Sequence, residues 1–211
     1  MFRLASLLIG YAFGCIQSAY IIGKMTRGID IREHGSKNSG FTNANRVMGF
    51  KVGIWIFIAD IIKAVLAFAL AAWMFDGCTL FFAGCLNGLL PGVWAGLGVV
   101  LGHNFPALMK FRGGKGISSS IGILLMLDWQ AALVIFIIAA LLILATRYIS
   151  LASLTITLLM PVAMVVRSQA WEVVAITVVL WSLAWFMHRG NIQRLLAGTE
   201  RKFSFKKMPS E

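Results

Sequence analysis

The chain is poor in the residues that build metal centres and disulfide frameworks. Its 211 residues include three cysteines, Cys15, Cys78 and Cys85, and three histidines. The cysteines form no CxxC and stand in apolar surroundings, so they read as packing residues. No HExxH and no Cys/His cluster offers zinc ligands, and no metal or other cofactor is expected. Charge is scarce as well: charged residues make up 13% of the chain, about half the share in an ordinary soluble domain.

Apolar side chains take that place, at 59% of the residues. Crossing a hydrocarbon core of about 30 Å takes about 20 such residues per helix. The length therefore allows several crossings joined by short loops, and residues 1–211 are expected to form a single integral membrane domain. The formal charge of +11 fits cations retained on the cytoplasmic side of a polytopic protein better than a nucleic-acid partner. The N-terminal run carries Arg3 and no clear cleavage site, so it reads as a first span.

Apolar runs fall near residues 4–24, 52–75, 79–101, 117–127, 130–146, 149–166 and 171–187. Seven crossings with the N-terminus outside and the C-terminus cytoplasmic put all 19 Lys and Arg on the inner side except Arg3, Arg167 and Lys63. That distribution obeys the positive-inside rule. Fusing 117–146 into one helix would bury Asp128 and move Arg147 and the basic tail outside, so a break at Asp128 is expected. The fold class is an all-α seven-transmembrane-helix bundle. Small residues four apart, Gly10 with Gly14, Gly92 with Gly96 and Gly98 with Gly102, predict close helix contacts. Asp60 and Lys63, three apart in the second span, are expected to share a face and neutralise each other.

This topology gathers the long polar segments on the cytoplasmic side. In "HGSKNSGFTNANR" (34–46), Ser36, Asn38, Thr42, Asn43 and Arg46 surround Gly35 and Gly40 as a polar pocket wall. In "FRGGKG" (111–116), the amides of Gly113, Gly114 and Gly116 and the Lys115 ammonium precede an apolar helix, an arrangement suited to a phosphate. It is no Walker loop, because Met109 stands where the first glycine should be and Gly116 replaces the Ser/Thr. His103 and Asn104 end the third span beside it, where an imidazole can assist proton transfer or donate to an oxyanion. No HxxxxD occurs, since positions 39, 108 and 193 are Ser39, Leu108 and Gln193. No paired Asp-rich motifs appear either. An enzyme of this composition works by positioning and fixed positive charge.

Taken in order, "HGSKNSGFTNANR", "GHNFPALMKFRGGKG" (102–116) and "HRGNIQRLLAGTE" (188–200), with "RYISLAS" (147–153) and the Asp60/Lys63 pair, resemble the bacterial acyl-phosphate:glycerol-3-phosphate acyltransferases, the PlsY family. The resemblance covers nearly the whole chain. It implies a seven-helix bundle in the bacterial inner membrane with its site facing the cytoplasm. The implied reaction moves an acyl group from acyl phosphate to the 1-hydroxyl of glycerol 3-phosphate, giving lysophosphatidic acid. A functional link to the enzyme that forms acyl phosphate is implied too.

On that resemblance, the 113–116 loop clamps a phosphate, Ser36 and Arg46 orient glycerol 3-phosphate, and His103 and Asn104 hydrogen-bond the reacting groups. Ser150, Asn191, Thr199 and Glu200 complete the polar wall. The base is either His103 or a substrate phosphate. The chain departs from the family pattern at Lys37, Ser39 and Phe41, and has Gln17 where proline is common. Lys37 replaces a glycine, which points to a positive φ there. Two other classes share the cations and apolar spans. A transporter for an organic phosphate predicts repeats and mid-membrane ionisable sites. A lipid-binding membrane protein leaves the ordered polar motifs unexplained.

Overall fold

The structure, a computed structural model, describes residues 1–76 and 89–204, and its regular elements there are all helical. They are α1 (Phe2–Gly14), α2 (Ser18–Arg27), α3 (Phe41–Met48), α4 (Phe50–Asp76), α5 (Leu89–Asn104), α6 (Ile117–Leu127), α7 (Trp129–Thr146), α8 (Ile149–Val166), α9 (Trp171–Met187) and α10 (Arg189–Leu196), with 3₁₀ turns at Ile31–Glu33 and Ala107–Met109.

Each expected apolar segment meets a helix, although the expected 79–101 run begins outside the described residues, as do Cys78 and Cys85. By length and composition, four helical stretches among the described residues can cross a membrane: Phe2–Arg27, Phe50–Asp76, Trp129–Thr146 and Ile149–Val166. Trp171–Met187 with Arg189–Leu196, bent by 62°, makes a fifth. At 11 residues, α6 reaches only about 17 Å at 1.5 Å per residue.

The break between α6 and α7 falls at Asp128, whose carboxylate accepts from the Ala131 amide at 2.9 Å and so caps α7. Arg167 donates to the same carboxylate at 2.5 Å. At the start of α9, Glu172 takes a two-pronged contact from Arg3 at 2.6 and 2.8 Å, and the Trp94 indole donates to it at 2.6 Å. The two cations expected on the outer side are thus each neutralised by a carboxylate.

The core lies among α4, α5, α6, α8 and α9, where Phe68, Val93, Val99, Ile123, Met160 and Leu180 are buried. The glycine pairs act as the spacing predicts. A side chain on Gly10 would run into the Ala95 carbonyl, one on Gly14 into that of Val99, one on Gly98 into that of Leu7, and one on Gly102 into that of Tyr11. Helices α1 and α5 therefore pack backbone to backbone. Gly92 instead receives the Phe68 ring, and Gly96 the Ile123 side chain.

Between α1 and α2 the helix breaks at Cys15–Gln17, which frees carbonyls that an apolar environment cannot satisfy. Lys63 from α4 and Gln17 collect them. Lys63 Nζ donates to Ile16 O at 2.8 Å, and Gln17 Nε2 to Gly14 O at 3.1 Å and His103 O at 3.3 Å. This break brings the N-terminal span, α4 and the end of α5 to one point.

Candidate functional site

A cavity of about 870 Å³ opens where α3, the start of α4, the end of α5, the start of α6, the α7–α8 turn and α10 converge. Its wall divides by chemistry. Ser36, Thr42, Arg46, Lys115, Asn191 and Arg194 line it with polar groups, and Ile54, Phe57, Ile121, Phe136, Ala139 and Ile143 with apolar ones.

The loop before α3 is organised around Asn43, which is 1% exposed. Its side-chain amide donates to the carbonyls of Ile31, His34 and Asn38 at 3.0–3.2 Å, and its Oδ1 accepts from the Ser36 amide at 2.8 Å. Asn43 thus shapes the wall rather than offering itself to a ligand. Gly35 and Lys37 both have φ of 60°, so Lys37 does hold the left-handed conformation its position implied. Two of the departures from the family pattern prove to be partners: Ser39 Oγ donates to Gln17 Oε1 at 3.0 Å, and both residues are buried. Phe41 packs against Phe57 at 5.6 Å and against Phe203 at 6.3 Å between ring centres.

The glycine-rich loop works differently from the expected amide clamp. The Gly114 amide donates to His103 O at 2.9 Å, so it is not free for a phosphate. A side chain on Gly113 would strike the His103 carbonyl, and one on Gly114 the His103 ring. These two glycines are there for close packing, and neither lines the cavity. The loop supplies Lys115, Gly116 and the first residues of α6, Ile117 and Ser118, to the wall. Gly116 has φ of 78° as the residue before α6, a conformation that favours glycine.

Lys115 donates to Asn191 Oδ1, joining this loop to α10. Burial, followed by the nearby Arg194, pushes its ammonium down to about 8, with Glu200 opposing. Burial also lowers Arg46, and Arg201 and Arg194 add to the effect. Cations that depress one another in this way form a site short of negative charge. Glu200 is committed to the protein, accepting from Asn191 Nδ2 and from Arg194 Nε, both at 2.7 Å.

Other expected site residues fall on both sides of the boundary. Gly35, Asn38 and Ser150 line the cavity, and Ser150 Oγ has no partner among the described residues. Asn104 does not line it; its side chain is 1% exposed, both polar atoms lack partners among the described residues, and it lies beneath Gly116. Thr199 is exposed, away from the wall, and bonds only back to Arg194 O at 3.5 Å. Sequence reasoning passed over His188, Arg194 and Arg201, all of which line the cavity. His188 stood in a quoted motif, and its burial at 4% exposed is a tertiary effect that no local pattern announces. Asp60 and His103 reach the cavity from below. Among the described residues, no three His, Cys, Asp or Glu side chains gather as a metal site.

A model of the family described as glycerol-3-phosphate acyltransferase matches residues 4–198. The glycerol-3-phosphate acyltransferase of Thermoanaerobacter sp. (strain X514) is 38% identical over 206 residues, covering 98% of each chain. That of Shouchella clausii (strain KSM-K16) is 38% identical over 207 residues, covering 96% of this chain and 97% of its own. The crystal structure of PlsY (YgiH), an integral membrane glycerol 3-phosphate acyltransferase, in its glycerol 3-phosphate form superposes with a TM-score of 0.85 at 31% identity, over 96% of each chain. Its lysophosphatidic acid form gives 0.83 at 30%, over the same shares.

Proposed function

The chain belongs to the PlsY family of glycerol-3-phosphate acyltransferases, and on that premise we propose that it moves a fatty acyl group from acyl phosphate to the 1-hydroxyl of sn-glycerol 3-phosphate, releasing lysophosphatidic acid and inorganic phosphate. The observation that carries this reading is one cavity lined both by a cluster of cations and by apolar side chains. Two phosphorylated substrates repel each other unless cations surround them, and one of them brings a chain that must stay out of water.

In this mechanism Arg46 and Lys115 hold phosphate at the cationic end, with Arg194 and Arg201 adding to the field. Ser36 and Asn191 orient glycerol 3-phosphate, and the acyl chain lies along Phe136, Ala139 and Ile143. The 1-hydroxyl oxygen attacks the acyl carbonyl carbon, the bond from that carbon to the phosphate oxygen breaks, and phosphate departs with the electron pair. Acyl phosphate is an activated anhydride, so positioning and charge neutralisation supply most of the help required. The alcohol proton passes either to His103 or to a phosphate oxygen.

The protein is a multi-pass membrane protein. We place it in the bacterial inner membrane with seven crossings, the N-terminus outside and the cavity facing the cytoplasm beside the supply of acyl phosphate. Reporter fusions at each loop test that orientation. The decisive assay combines purified protein with palmitoyl phosphate and glycerol 3-phosphate and follows phosphate and lysophosphatidic acid. Equal release of both supports the reading. Transfer from acyl-CoA or acyl carrier protein but not from acyl phosphate overturns the donor assignment, and no transfer by folded protein overturns the reaction.

A further inference from the structure

Beneath the cavity floor, four buried side chains from three helices meet. Asp60 and Lys63 of α4 are 1% and 5% exposed, His103 of α5 is 3%, and Ser18 of α2 is 7%. Lys63 Nζ stands 2.8 Å from Asp60 Oδ1, 2.8 Å from Ile16 O and 3.0 Å from His103 Nδ1. Ser18 Oγ donates to Asp60 Oδ1 at 2.9 Å. Three close acceptors match the three N–H groups of one ammonium. An ammonium has no lone pair, so His103 Nδ1 must be the unprotonated nitrogen and the ring proton must sit on Nε2.

The other two histidines are held the opposite way. His34 Nδ1 lies 3.0 Å from Asp30 O, and His188 Nδ1 lies 2.7 Å from Ala184 O. A carbonyl can only accept, so each carries a proton on Nδ1. His103 is thus the one histidine of the three with an ammonium against Nδ1 and a donor at Nε2. Its Nε2 edge lies against Gly114, where any side chain would run into Nε2, so a bare glycine backbone is what leaves that edge room.

We propose that Asp60 and Lys63 are positioning residues that lock His103 in the Nε2–H tautomer, so that His103 meets the acyl donor as a fixed hydrogen-bond donor and not as a base. Asp60 orients Lys63, Lys63 dictates the tautomer, and Nε2–H is the ring's other polar edge, beside Gly114, on a residue that lines the cavity. A base at Nε2 would need a proton on Nδ1, facing the ammonium across 3.0 Å, while the Asp60 carboxylate stands farther off at 3.7 Å. What Nε2–H donates to rests on the acyl-transfer reading: it is the carbonyl oxygen, which gains negative charge as the hydroxyl attacks. The alcohol proton then goes to a phosphate oxygen.

Nitrogen-15 NMR of the unmutated protein, labelled at histidine and reconstituted in lipid nanodiscs, tests the tautomer directly, with His103 assigned by its loss in His103→Gln. The expected result at neutral pH is a pyridine-type Nδ1 and a pyrrole-type Nε2 for His103, opposite to His188. A pyrrole-type Nδ1 at His103 overturns the proposal, whether or not the protein proves to be an acyltransferase.

Kinetics test the coupling. Lys63→Met should lower kcat about 10–100-fold with KM for glycerol 3-phosphate little changed, the scale of losing a group that orients another. Lys63→Gln, whose amide can still donate to Nδ1, should recover about tenfold of that loss. Equal activity of Lys63→Met and unmutated protein, or no recovery by Lys63→Gln, overturns the positioning role. Absence of transfer by the unmutated protein overturns only the reaction assigned to the site.

Discussion

Lys115 donates a hydrogen bond to Asn191, and through it the loop before α6 is joined to Glu200 beyond α10, since Asn191 donates onward to Glu200. Two of the three polar segments are thereby one structure. The third enters through Arg46, which lines the same wall.

Loss of this cation should be felt in binding. Lys115→Ala and Arg46→Ala are each expected to lower kcat/KM for glycerol 3-phosphate by about 10²-fold or more, the scale of removing a charged donor from a desolvated site. Asn191→Ala should cost about tenfold, because Lys115 remains but is no longer held. Steady-state kinetics with both substrates check this. Unchanged constants in both cation variants would contradict the phosphate-binding assignment.

The same lysine predicts a pH dependence. With its ammonium near 8 through burial, Lys115 carries charge below that pH and loses it above. The kcat/KM of the enzyme should therefore fall between pH 7 and 9, while Lys115→Arg should stay flat over that range, because arginine remains charged. Bound phosphate favours the ammonium, so the kcat profile should break at a higher pH than kcat/KM. For stability the sign is opposite. The folded value lies below the ordinary 10.5, so the unfolded chain holds more protons between about 8 and 10.5, and this group's destabilising contribution is relieved as pH rises through that window.

Gln17 and Ser39 should behave as a coupled pair. Ser39→Ala leaves Gln17 Oε1 buried without its 3.0 Å donor, at a cost of about 1–3 kcal/mol in unfolding free energy. Removing both polar groups, as in Gln17→Leu/Ser39→Ala, should cost less than the two single changes added together. A double-mutant cycle in detergent by thermal unfolding gives the coupling, and strict additivity would show that the contact is idle.

The apolar wall should set acyl-chain length. Ala139 and Ala140 line it with small side chains between Phe136 and Ile143. Ala139→Phe or Ala140→Leu should shift preference from palmitoyl towards decanoyl phosphate. About 0.8 kcal/mol per excluded methylene corresponds to about fourfold in relative kcat/KM per carbon. Competition between the two donors, with products separated by mass, measures it.

The sequence made some of this legible because membrane insertion constrains it so strongly. Apolar runs located the helices, a lone Asp128 located the turn between α6 and α7, and glycines four apart located the α1–α5 contact, since each of these signals is local. The site was legible as three motifs but not as an arrangement. Gly114 carries the pattern of a phosphate loop, yet its amide is taken by His103 O, a contact set by how the chain folds back after α5. His188 and Arg194 stand in a motif most of whose residues line the cavity, a placement set by how α10 bends back from α9. The role of Lys63 was half visible: its spacing from Asp60 foretold the pair, but nothing in sequence could bring His103 to its third donor.

On the proposed reaction, a cavity with both cationic and apolar lining would also send the two products different ways. Phosphate would leave the cations for water, whereas lysophosphatidic acid, its chain along the apolar residues of α7, would have only to slide sideways to become a lipid. Departure into two different phases would keep the products from meeting again at the site and so slow the reverse reaction.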